Sequence, residues 1–463
     1  MNSADGARFQ NLLAWGRQHG AALNDSVEVY KDDRTGYSLR IKPSVPAVPA
    51  SDDGFSVVTC PASVTLSYLN ALIDGPLLSD LSTVSFSPSF PPSFISSLPP
   101  HVIGRFYLIQ QYLLGPASFW HPYIRALPQP EHLSSWALPA FWPEEDIDFL
   151  EGTNAEVAVR EVQTNVKGEF KRARKILKEV EFPGWQDYSR LLYNWAFCMF
   201  TSRSFRPTTV FSEKLRRDLR EQGVLQEGVR DDDFSVLMPV MDIGNHDMRI
   251  KVKWDTETEE RACRFLSRDG MRPKEQIFNN YGMKTNSELL LGYGFIVPET
   301  EELHNDYVHV RMRQLEGANE AGGGGDEKPK DFLISLRPMR DSSSLAGLSR
   351  LRLRAQEDFQ VSPALVHVED SLVWDLIVSQ AEHDEEIFAW PTAADVALLV
   401  ERVKMALLAK MGYDYERILD PEVYEDGELA LIPANSNQEL ASAYRAQCKK
   451  VLETAIRSMG GRI

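Results

Sequence analysis

The hydrophobic positions change period several times along the chain. Phe9, Leu12, Leu13 and Trp15 stand among polar residues at a spacing that predicts a short amphipathic helix over 8–19. From about 25 to 90 the period shortens. Val27-Glu28-Val29-Tyr30 and Phe55-Ser56-Val57-Val58 read as strands, separated by Gly, Pro, Asp and Ser, and the Ser/Pro-rich stretch 86–100 reads as a loop. Helical spacing returns between 101 and 230. Val102, Phe106, Ile109 and Leu113 form one stripe that Gly115-Pro116 should end, a charged helix follows over 156–180, and a more apolar one covers 188–202. Strands resume at 234, with a buried run over 236–241, an alternating run over 250–254 and a third over 263–266. Beyond 345 the pattern is helical. Thr392 to Asp395 reads as a capping box ahead of Leu399, Val403, Leu407 and Met411, with Gly412 expected to close that helix. Ser436 to Glu439 is expected to cap another, whose stripe is Leu440, Tyr444, Cys448, Val451 and Ala455. Strands, a helical insertion, strands again and a helical lobe make this an α+β chain.

At 463 residues, with 43% apolar and 25% charged, the chain is long enough for two to four structural units and too apolar for wholesale disorder. Lys and Arg total 50 against 67 Asp and Glu, a formal charge of −17, which argues against nucleic acid as a partner. That surface suits a basic protein partner, and it equally serves solubility. Cys60, Cys198, Cys263 and Cys448 lie far apart without a CxxC pair, so neither a disulfide framework nor a zinc set is expected. No secretory start is apparent, and no apolar run approaches the roughly 20 residues of a membrane span. The expectation is a soluble intracellular protein, cytoplasmic or nuclear, with no membrane association. Residues 316–331 read as a flexible excursion; its four glycines lack the Lys-Ser/Thr of a phosphate loop.

The densest concentration of unusual polar residues lies between 238 and 298. Asp242-Ile243-Gly244-Asn245-His246 follows the buried run directly. Some thirty residues later comes Asn280-Tyr281-Gly282-Met283-Lys284-Thr285-Asn286-Ser287-Glu288-Leu289-Leu290-Leu291-Gly292-Tyr293-Gly294-Phe295. Thr285 or Asn286 can cap a helix through Leu291, with Gly292 and Gly294 breaking it, so that Tyr281 and Tyr293 bracket it. His246-Asp247 resembles a metal-binding pair, but no HxH or HxxxH occurs, and no metal is expected. A Ser-His-Asp hydrolase would need a GxSxG elbow, which is missing. A lone Asn-His at a strand end usually satisfies local backbone groups. Taken alone, Tyr281 and Tyr293 suit core packing, Arg203 an ion pair, and Trp120 and Trp136 packing anchors. The residues themselves support a polar binding pocket and no more.

The two segments together resemble the SET domain of the Rubisco large-subunit methyltransferase-like branch, which includes fungal ribosomal-protein lysine methyltransferases. Thr201-Ser202-Arg203-Ser204-Phe205 resembles the branch's Ser-Arg-x-Phe segment. Phe106 to Gly115, Ser118 to Ile124 and Leu150 to Thr153 resemble its helical insertion. The resemblance implies small β-sheets around a pseudoknot, with a helical insertion and a C-terminal helical lobe. The corresponding divisions are 1–95 and 234–312 for the two parts of the SET domain, 96–233 for the insertion, 313–345 for a linker and 346–463 for a substrate-binding lobe. It implies S-adenosylmethionine as cofactor and transfer of its methyl group to a lysine of a non-histone protein, such as a ribosomal protein or translation factor, by a monomer. Carried over by position, Tyr281 is the catalytic tyrosine. Thr35, Gly36, Tyr37, Arg203, Asp242, Asn245, His246 and Tyr281 bind the cofactor, and Phe205, Asp242, Tyr293 and Phe295 line the lysine channel.

The branch's first cofactor segment usually reads Gly-x-Gly, whereas Ser38 stands here in place of the second glycine. A positive φ at Ser38 would carry a steric penalty. That departure motivates one alternative, a SET-fold interaction protein of weak catalytic power. Histidine methylation, known in this branch on actin, is the other.

Overall fold

In a computed structural model of the chain, the described residues are 3–77, 86–258, 261–312, 330–344, 363–381, 393–422 and 431–463. They form two compact units, one comprising Met1–Ala137 and Gln163–Gly282, the other Leu138–Val162 and Met283–Ile463. The excursion expected over 316–331 falls outside the described residues, except for its last two.

The first unit is built on three small antiparallel sheets. Val27–Asp32 and Gly36–Ile41 form a hairpin because the intervening residues turn tightly. Asp32 Oδ1 accepts from the main-chain N–H groups of Arg34 and Thr35, each at 2.9 Å, and Gly36 takes φ +74°. Val27, Val29, Leu39 and Ile41 point into the core, and Gln276–Ile277 adds to the free edge of Gly36–Ile41. A second sheet orders Ala22–Leu23, Phe55–Pro61, Ala262–Ser267 and Val252–Asp255, setting Cys60 opposite Cys263. A third places Leu66–Ser67 and Ser204–Phe205 on either side of Val236–Leu237. Strands far apart in sequence therefore meet, and the intervening helices pack beside them. The helices Pro100–Leu114 and Arg190–Arg203 meet through aromatic rings, with Phe106 5.3 Å from Tyr193 and stacked at 5.6 Å on Tyr188. Trp120 and Trp136 behave as packing anchors, their indole N–H groups donating to the carbonyls of Val64 and Gln129.

Two expectations need correction here. The stretch read as a loop contains the helix Pro92–Ser97, which starts on a proline suited to a first turn and buries Phe94 and Ile95. The run over 236–241 is a strand only through Leu237. Pro239 removes a ladder donor, and Val240 adopts φ +71° before a single 3-10 turn over Met241–Ile243. A β-branched residue in that conformation is strained by roughly 1–3 kcal/mol, and here it turns the chain into the 242–246 segment.

In the second unit, Tyr307–Met312 pairs with Lys330–Ser335. The helix Asn286–Tyr293 is capped by Thr285 through a box with Glu288, runs through Gly292, and ends at Gly294 with φ +77°. The helix Ala393–Leu419 continues past Gly412, whose missing Cβ faces open space, so that glycine is merely tolerated. Thr392 lies outside the described residues. The helix Ser436–Ser458 is capped by Asn435 rather than by Ser436, and the buried Asp146 carboxylate accepts from Asn435, Asn437 and Gln438 at 2.8–2.9 Å. Gly152, at φ +79°, leaves no room: a Cβ there would meet the Arg417 carbonyl oxygen at 2.1 Å. Gly152→Ala is expected to destabilise this unit by about 3 kcal/mol, read by denaturant unfolding; an unchanged midpoint would contradict that packing.

His304 and Asp306, both buried, give this unit a pH signature. Burial, assisted by Glu299, pushes the Asp306 carboxyl up to about 6 against the bond from Asn286. Burial and Arg337 push the His304 ring down to about 4. Folded Asp306 keeps a proton that the unfolded chain sheds near 3.8, so its contribution to stability falls as pH rises from about 4 to 6. Folded His304 has shed a proton that the unfolded chain holds up to 6.5, so its contribution rises across nearly the same window. The two oppose each other and should leave stability nearly flat there. His304→Phe keeps a ring to stack on Tyr307, 5.4 Å away, and exposes the Asp306 trend. The variant's stability in denaturant titrations should fall between about pH 4 and 6; a flat profile would contradict this pairing.

Candidate active site

The segments 242–246 and 279–281 cross in the first unit. His246 and Asn279 form a parallel bridge, Asn279 N–H donates to the Asn245 carbonyl at 2.7 Å, and Asp247 N–H donates to the Asn279 carbonyl at 2.9 Å. Tyr281 closes the crossing at both of its ends. Its main-chain N–H donates to His246 Nδ1 at 3.0 Å and its hydroxyl to the Gly244 carbonyl at 2.7 Å, with the two rings stacked at 4.9 Å. An Nδ1 that accepts places the imidazole proton on Nε2.

Asn245 joins this crossing to the hairpin turn. Its Nδ2 donates to Gln276 Oε1 at 3.0 Å and to the Thr35 carbonyl at 3.3 Å. Gln276 Nε2 in turn donates to Tyr30 at 2.8 Å and to Thr35 Oγ1 at 3.2 Å. Sequence reasoning missed Gln276; an amide two residues ahead of Phe278 carries no spacing signal. Next to Thr35, a Cβ on Gly36 would meet nothing within 4 Å, so the turn presents open backbone. Tyr37 packs its ring against Phe9 at 4.5 Å. Ser38 is buried in an extended strand and is not among the described residues with positive φ, so the feared steric penalty does not arise.

Arg203 ends its helix beside Asp242. Its Nη1 donates to the Asp242 carbonyl at 3.1 Å and stands 3.5 Å from Asp242 Oδ2, while the side chain remains 30% exposed. One corner of the guanidinium is thus anchored, while the side chain as a whole stays part-exposed. Burial raises the Asp242 carboxyl above its usual range, against the opposing effects of Arg203 and Tyr123. Phe205, two residues on, lies edge-on to Trp254 at 5.3 Å. Tyr293 and Phe295 belong to the second unit, where their rings stand 6.3 Å apart. Among the described residues no group of three or more His, Cys, Asp or Glu is placed to hold a metal, and no helix is long and apolar enough to cross a membrane.

A guanidinium anchored at one corner matches a carboxylate, and the turn at Gly36, with nothing within 4 Å of its missing Cβ, admits close approach. The solved SET domain of LSMT bound to MeLysine and AdoHcy matches 98% of this chain and 91% of its own length, with a TM-score of 0.60 at 16% identity. The chain has a SET fold. Rubisco LSMT bound to AdoMet gives the same TM-score and coverage, in keeping with the branch that the motifs resemble. No family model matches the chain. Among curated proteins, the SET chain is similar to the ribosomal lysine N-methyltransferase set10 of Schizosaccharomyces pombe, 26% identical over 63% of this chain and 46% of that one. It is similar to the N-lysine methyltransferase SETD6 of Mus musculus at 24% identity over 68% and 61%, and to the actin-histidine N-methyltransferase of Callithrix jacchus at 22% over 66% and 45%. The chain therefore spans less than two thirds of the length of each of these relatives.

Proposed function

We propose that this chain is a protein-lysine N-methyltransferase that uses S-adenosylmethionine and acts on a non-histone protein, with ribosomal proteins or translation factors as the substrate class. The observation that carries this reading is the crossing itself, in which Tyr281 is tied by two hydrogen bonds to His246 and Gly244 beside an anchored Arg203. The relatives set10 and SETD6, named as lysine methyltransferases, support it.

In this reading S-adenosylmethionine supplies a methyl group activated on a sulfonium. Arg203 pairs with the donor's carboxylate, and Asn245, His246 and the open backbone at Thr35, Gly36 and Tyr37 hold the remainder. Tyr281 is the catalytic tyrosine of this reading, and Phe205 is an aromatic wall that the first unit brings to the lysine channel. Aromatic walls accept the aliphatic stem of lysine and favour its cationic head during entry. The amine must then lose a proton, although its unperturbed pKa is about 10.4. Burial and a neighbouring positive charge both disfavour the ammonium, so no strong dedicated base is required. In-line displacement at carbon needs no metal, and positioning supplies most of the acceleration. The acidic surface favours a basic protein partner, and we place the enzyme in the cytoplasm or nucleus as a monomer.

The test is a radiolabelled methyl-transfer assay on lysate from cells lacking this protein. One or a few labelled protein bands are expected with the purified chain; none, under conditions where relatives label their substrates, would overturn the proposal.

A further inference from the structure

Tyr123 is not among the proposed cofactor and channel residues. It lies on the short helix His121–Ala126, is 1% exposed, and donates its hydroxyl to Asp242 Oδ2 at 3.0 Å. The same carboxylate oxygen stands 3.5 Å from Arg203 Nη1, and the Asp242 side chain is 2% exposed. A carboxylate so buried persists only with partners on it. Three elements bring titratable groups to it: the helix of Tyr123, the helix Arg190–Arg203 with Arg203, and the strand Phe55–Pro61 with Cys60. Burial, with Cys263 and Asp242 behind it, pushes the Cys60 thiol well up, so Cys60 brings no charge. Burial pushes the Tyr123 phenol well up too, which keeps it a hydrogen-bond donor.

These two donors differ in stiffness. Arg203 is long and part-exposed, whereas Tyr123 turns about two side-chain torsions and sits in a packed core. Without the phenol, the Asp242 carboxylate is free to rotate about its last torsion and meet Arg203 with both oxygens, drawing the guanidinium out of the pose in which Nη1 meets the Asp242 carbonyl. We propose that Tyr123 is a positioning residue, which pins the Asp242 carboxylate and through it holds the Arg203 fork where the methyl donor's carboxylate is received. The proposal rests on the methyltransferase reading for its ligand, but the pinning of Asp242 does not depend on it.

Tyr123→Phe tests both parts. Calorimetry with S-adenosylhomocysteine should show affinity weakened about tenfold. The KM for the donor should rise by a similar factor, with kcat and the KM for the protein substrate little changed, a split that general loosening of the core would not give. Tyr112→Phe, which removes an exposed phenol bonded to Glu131 at 2.8 Å and not to Asp242, should leave all of these unchanged. In an Asp242→Asn background, Tyr123→Phe should cause little further loss of affinity. Without any cofactor, the Asp242 carboxyl signal in carbon-13 NMR should titrate at higher pH in Tyr123→Phe than in the parent. Unchanged affinity together with an unchanged Asp242 titration would overturn the proposal. A parent chain that binds no S-adenosylhomocysteine would overturn the methyltransferase reading and the ligand part of this proposal, leaving the titration to decide the pinning. Should Tyr123→Phe fail to fold, Asp242→Asn alone decides: full affinity in that variant would overturn the chain of contacts.

Discussion

Tyr281→Phe is expected to lower methyl transfer by about a hundredfold while leaving donor binding within a fewfold of the parent. The phenol donates to the Gly244 carbonyl at 2.7 Å, and the Tyr281 N–H donates to His246, so the ring is fixed against the segment proposed to hold the donor. Direct contacts between oxygen and the polarised methyl are worth only about 0.5–1 kcal/mol each, too little for so large a fall. The larger part comes from alignment: once the hydroxyl is gone, the ring is no longer tethered, and donor, methyl and amine lose their line. Single-turnover kinetics beside calorimetry separate the two effects. A variant that transfers methyl at the parental rate removes Tyr281 from its assigned role, whereas one that loses donor binding altogether makes the residue structural.

The largest effect on stability is expected at Asn286, in the second unit. Its side chain is fully buried, with Nδ2 at 2.8–2.9 Å from the Val297 carbonyl, Asp306 Oδ1 and Gln447 Oε1, and Oδ1 accepting from Val297 N–H at 2.8 Å. It therefore ties the start of one helix to the strand entry at Asp306 and to the helix Ser436–Ser458. Asn286→Ala leaves several of these groups buried without their bonds, and should destabilise the unit by about 3–4 kcal/mol. Asn286→Asp should be no rescue, because it sets a second carboxylate against Asp306. Chemical denaturation followed by a probe in this unit reads the loss; an Ala variant within about 1 kcal/mol of the parent would mean that solvent or neighbours replace the network.

Sequence alone revealed the α+β order, the main helices and an unusual polar cluster, because periodicity and composition survive in one dimension; that the 242–246 segment threads with the tyrosine segment came from the family resemblance. What it hid was set by tertiary context. Asn286 read as a possible helix cap, yet Thr285 caps the helix and Asn286 turns inward to partners as remote as Gln447. Gly412 read as a stop, but a helix stops only where the backbone turns, and here it continues to Leu419. Val240 looked like one more strand residue until Pro239 and its own positive φ bent the chain. Gln276 and Tyr123 carry no spacing signal; they matter because Asn245 and Asp242 happen to fold against them. The resemblance pointed to Arg203, but the contact that anchors it, a carbonyl 39 residues further on, appears only in the fold.

The most direct measurement is the position of the transferred group. Fragmentation mass spectra of a protein labelled by this chain and S-adenosylmethionine should place the methyl on the ε-nitrogen of a lysine, and the product should form about a hundredfold more slowly when Tyr281→Phe replaces the parent. A methyl found on a histidine ring instead, or a chain that binds the donor yet modifies no protein, would contradict the account.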